Sequence, residues 1–100
     1  MRLKPGAKLK GIKPEIVLAL LIIEPLLTRK TGAALVITSG TDGKHSAHSH
    51  HYTGNAVDIR TRDIEPALRR SLAEEIHDAL GDEFDVVLES DHLHVEFDPS

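Results

Sequence analysis

The sequence predicts an α+β fold in which a small antiparallel sheet carries helices packed on one face. Two observations point there. One stretch is apolar nearly all round, a second repeats apolar residues at helical spacing, and four others form short β-branched or alternating runs, in the order helix, two strands, helix, two strands. A chain of 100 residues has room for one core, so these elements must share it. With 40% apolar but only 3% aromatic residues, that core is built from Leu, Ile, Val and Ala rather than from large rings.

Residues 1–13 contain Arg2, Lys4, Lys8, Lys10 and Lys13 with little periodicity, and read as a basic N-terminal arm before a single domain at 14–100. Pro14 suits a first helical turn. The stretch from Ile16 to Leu27 is apolar nearly all round, as for a helix covered on most sides, and Pro25 is expected to kink or end it. The basic residues ahead of Ile16 to Ile23 imitate a signal peptide. Pro14, Glu15, Glu24 and Pro25 bound that run, no small-residue cleavage site follows, and it falls far short of the ~20 residues a membrane span needs. A buried helix is therefore expected, with no leader and no span, in a chain that starts out in a cytoplasm.

Gly32 breaks the chain before Ala34 to Thr38, a buried strand. From Ser39 to Tyr52 runs a polar loop with four histidines, and Asn55 to Ile59 forms the second strand. Asp63 is expected to cap a helix bearing Ile64, Leu68, Leu72, Ile76 and Leu80, with Pro66 in its first turn and Gly81 past its end. Phe84 to Leu88 and Leu93 to Phe97 read as a hairpin joined by Glu89, Ser90, Asp91 and His92.

Composition narrows the chemistry. Without cysteine, a transition metal can be held only through His, Asp or Glu. A formal charge of −4 argues against a surface built for nucleic acid or anionic lipid. Six of the seven histidines fall in two windows: His45, His48, His50 and His51, then His92 and His94. In the second strand Asp58 lies opposite Val57 and Ile59, and in the last strand His92, His94 and Glu96 lie opposite Leu93, Val95 and Phe97. If those strands are neighbours, Asp58 and His94 converge on the non-core face, and His51 can complete a triangle. Two imidazoles and one carboxylate match a catalytic zinc site whose fourth position is left to water. His45 and His48 are read as solvated loop residues, and His77 as a surface residue.

Ser49, His51, Gly54, Ala56 and Asp58 reproduce a Ser-x-His-x-x-Gly-x-Ala-x-Asp motif, and Asp91-x-x-His94 an acid-x-x-His motif. The chain thus resembles the D-alanyl-D-alanine carboxypeptidase family of zinc metallopeptidases, which includes phage L-alanyl-D-glutamate endolysins and shares its fold with the hedgehog signalling domain. The resemblance implies that His51, Asp58 and His94 hold Zn2+, that Asp91 acts as general base, and that the substrate is a peptide of bacterial peptidoglycan. Zinc lowers the pKa of bound water toward about 7 and polarises the scissile carbonyl, so a nearby carboxylate need only take and return a proton.

Glu89 shares the turn with Asp91, and His92 shares a strand face with His94, so either can compete with Asp91 for the role of base. Gly54 permits a tight turn, Ala56 leaves the face beside Asp58 open, and Ser49 is suited to orient a ligand. No loop histidine is followed four residues on by Asp, and no His-Glu-x-x-His string occurs, which removes the lysostaphin-type and helical zinc-peptidase patterns. Family members often carry an Arg facing the substrate carboxylate; Ser39 to Lys44 has none. Lys44, Arg60 or Arg62 is the replacement available, and His50 or His92 can donate to the oxyanion. A monomeric enzyme is expected, cytoplasmic or phage-encoded and acting on the wall after release. The competing reading is a module of the same fold that keeps zinc without hydrolysis and serves recognition or assembly.

Overall fold

The computed structural model describes residues 1–41 and 53–99. The elements, in chain order, are strand β1 (Arg2–Leu3), helix α1 (Pro14–Thr31), strands β2 (Val36–Ser39) and β3 (Ala56–Arg60), helix α2 (Pro66–Leu80), and strands β4 (Phe84–Leu88) and β5 (His92–Phe97). They make a five-stranded sheet in the order β1-β2-β3-β5-β4. The α+β class stands, but the sheet is mixed rather than purely antiparallel, because β1 runs parallel to β2 while the other three pairings are antiparallel. The basic segment 1–13 supplies that extra strand. The Arg2 and Lys4 amides donate to the carbonyls of Leu35 (2.8 Å) and Ile37 (2.9 Å). Farther on, the Thr41 amide donates to Lys8 (2.8 Å) and the Lys13 amide to Gly54 (3.0 Å). A strand of two residues is too short to carry a period, so nothing in the residues announces it.

Helix α1 passes through Pro25 and ends only at Gly32, whose φ of 73° takes the left-handed turn that lets its amide reach the Thr28 carbonyl. Pro25 neither ends the helix nor sits in the core: it is exposed, and there water can serve the carbonyl that proline cannot pair. Nor is the helix covered all round. Ile16, Ala19, Leu20, Ile23 and Leu27 are buried, whereas Val17, Leu18, Leu21 and Ile22 remain exposed. Despite this apolar surface, no helix among the described residues is long and apolar enough to cross a membrane.

Helix α2 starts at Pro66 with Glu65, not Asp63, in the cap position, and the Glu65 side chain makes no capping hydrogen bond. Asp63 instead faces Arg60 at 3.7 Å. Leu72 and Ile76 anchor the helix, with Leu68 and Leu80 packed at the margin. Both helices lie over the sheet face formed by Ile37, Val57, Ile59, Leu93 and Val95, and Phe84 stacks at a tilt on Phe97 (centroids 5.1 Å apart) where the last two strands meet. Strand alternation leaves Thr38, Asp58, Arg60, His92, His94 and Glu96 on the opposite face.

Candidate metal centre

Two neighbouring strands assemble the centre of this open face. In the β3–β5 ladder Asp58 lies directly opposite His94, and Arg60 opposite His92. The β2–β3 register slips between Ile37 and Ser39, so that Thr38 is an extra residue beside Asp58. Its hydroxyl donates to the Asp58 carbonyl (3.4 Å). A bulge of this kind bends the strand and re-aims side chains, here on the flank of the aspartate.

His94 is held at both ring nitrogens. Nδ1 lies 2.9 Å from Asp58 Oδ1 and Nε2 lies 2.8 Å from Glu96 Oε1, with all three side chains largely shielded from solvent. Only the imidazolium can donate to both carboxylates at once. The bond to Asp58 above all, seconded by Glu96, pushes its pKa up to about 9 against the opposing cost of burial. As a metal site the same arrangement has a familiar logic. A carboxylate behind one ring nitrogen fixes the ring, and the other nitrogen is left for a cation beside a second carboxylate. Nitrogen and oxygen donors of this type suit zinc.

His92 forms a second layer. Its Nδ1 lies 2.8 Å from Asp91 Oδ1, while Nε2 is 3.9 Å from both Asp58 Oδ1 and Glu89 Oε1. Asp91 thus connects to the Asp58–His94 pair through His92. Its carboxylate is 72% exposed, and the His92 hydrogen bond holds its pKa below the usual carboxylate value.

Of the sequence-predicted site residues, Asp58, His92 and His94 come together, with Arg60 and Asp91 at their border. His51, Ser49 and His50 lie outside the described residues, as do Lys44, His45 and His48. The residue the sequence reading passed over is Glu96. It stands two positions after His94 on the same strand face, the one signal available for its role.

Gly54 does more than turn the chain. At φ 79° it sits where a Cβ would collide with the Gly11 carbonyl. Among the described residues the three carboxylates Asp85, Glu96 and Asp98 also gather within 4.8 Å, a grouping that exposed acids adopt without any ion. A cleft of about 460 Å³ between α2 and β4 includes no member of the His94 cluster. In comparisons with known proteins, no family model matches the chain and no curated protein matches it.

Proposed function

We propose that this protein is a zinc metallopeptidase of the hedgehog/DD-peptidase fold that hydrolyses a peptide bond in the stem or cross-link of bacterial peptidoglycan. The observation that carries the reading is the pairing of Asp58 with His94 across adjacent strands, with Glu96 behind the imidazole. Asp58 and His94 would hold the metal together with His51, the third donor of the motif. When bound, zinc would acidify a water molecule and polarise the scissile carbonyl.

The chain's own residues have distinct parts. Glu96 keeps the His94 ring oriented with Nδ1 toward Asp58. Asp91, ionised at neutral pH, takes a proton from the attacking water and returns it to the leaving amine; His92 holds it by a hydrogen bond and links it to Asp58. A carboxylate whose pKa is lowered is a modest base, and its exposure favours the second reading, a zinc-binding module without turnover.

Metal analysis of the purified protein, paired with release of new amino groups from peptidoglycan before and after chelation, tests the proposal. About one zinc per chain and chelator-sensitive release are expected. Asp91→Ala should keep the zinc and lose turnover by roughly 100-fold or more. Protein that binds no zinc even on reconstitution would overturn the reading, and zinc without release leaves the binding module.

A further inference from the structure

The open face has a second feature beside the His94 cluster. A concavity of about 300 Å³ is lined by Lys4, Thr38, Arg60, Arg62, Asp91 and His92. Two segments deliver its cations, the end of β1 and the end of β3. The β1–β2 register sets Leu3 opposite Ile37, so Lys4 falls beside Thr38; Arg60 ends β3; and Arg62 follows two residues on. Asp91 lines the same concavity and feels the charge of Arg62, so one carboxylate offsets part of theirs. Asp91 is already bonded to His92. Among the described residues Arg60 reaches only Asp63, at 3.7 Å, and Asp63 is itself 64% exposed, so that pair is weak. Lys4 and Arg62 form no ion pair among the described residues.

Three cations gathered in one polar concavity repel one another, and do so in a chain whose net charge is −4. Such a cluster is stabilised by an anion that can accept several hydrogen bonds. The planar guanidinium forks of Arg60 and Arg62 suit the paired oxygens of a carboxylate or phosphate, and the Lys4 ammonium adds a movable point charge. We propose that Lys4, Arg60 and Arg62 form an oxyanion-binding pocket on the sheet face shared with Asp58 and His94. His92, which lines the pocket and lies 3.9 Å from Asp58, joins the two. That the anion belongs to the substrate of the His94 site rests on the function proposed above; anion binding itself does not.

The test uses the full chain without metal, so that a failure of the zinc reading and a failure of the pocket are separate results. Inorganic phosphate and acetate are titrated in parallel while the arginine Nε–H resonances are followed by NMR. Saturable shifts of the Arg60 and Arg62 signals are expected with at least one of the two. Tighter binding of acetate identifies a carboxylate, and tighter binding of phosphate a phosphoryl group, as the group recognised. Lys4→Ala and Arg62→Ala should each weaken that binding about tenfold or more, while Lys4→Arg restores most of it and Arg62→Lys, which keeps the charge but loses the fork, restores only part. The conservative pair separates lost recognition from lost folding. Linear, non-saturable shifts with both anions, or binding indifferent to all four substitutions, would overturn the pocket.

Discussion

With a carboxylate at each ring nitrogen, His94 carries a proton that a metal ion would have to displace. The two demands run in opposite directions with pH. Its folded-state pKa of about 9 lies above the unfolded value of about 6.5, so the imidazolium stabilises the metal-free fold fully below pH ~6.5. That contribution fades as pH rises toward 9. Zinc affinity should climb across the same window as the proton leaves. Urea unfolding of metal-free protein at pH 6, 7.5 and 9, beside zinc competition titrations, checks both slopes; a pH-independent zinc affinity would remove His94 from the ligand set.

Thr61 makes a second prediction. Its hydroxyl is buried with no partner among the described residues, so Thr61→Val should leave the fold intact and raise stability by about 1 kcal/mol in urea unfolding. At this scale the sequence is informative about Asp58 and His94, because strand alternation alone sends them to one face. It is silent about Thr61, whose parity is that of a core residue and whose lack of a partner depends on packing.

The elements themselves were legible wherever a period ran long enough to be counted. Helix α2 and the β4–β5 hairpin follow from it, and α1 from Pro14 and an unbroken apolar run, with ends displaced by a few residues. In each departure a local rule was overridden, by solvent, by a neighbouring side chain or by distant backbone. Pro25 lies on the exposed side of α1, where the helix absorbs it. Pro25→Ala should accordingly restore an intrahelical hydrogen bond and stabilise the protein by about 1–3 kcal/mol at unchanged denaturant sensitivity. A loss of stability on that change would mean that the proline ring, not the helix, is what packs there. Asp63 had the residue type of a cap but was drawn to Arg60, and β1 exists only because the β2 edge offers it carbonyls.

Across the whole molecule, net charge proved a poor guide to local charge. The open face carries Lys4, Arg60 and Arg62 at one end and Asp85, Glu96 and Asp98 at the other, with His94 between them. A total of −4 averages over that gradient. The N-terminal segment enters this face as well, through Lys4, although composition marks it only as basic.

Leu9 and Ile12 pack against the core and Ala7 is buried, but residues 1–13 also contribute through amides and carbonyls. Gly40 and Gly54 each lack a side chain where the backbone of Lys8 or Gly11 presses against them. Gly54→Ala should therefore cost more than about 2 kcal/mol, whereas Gly32→Ala, at a similar positive φ but in open space, should cost about 1, as chemical denaturation of the two variants would read. An exhaustive substitution scan would accordingly find much of the segment permissive and the two distant glycines intolerant. The path of the N-terminus is recorded less in its own letters than in the side chains its neighbours go without.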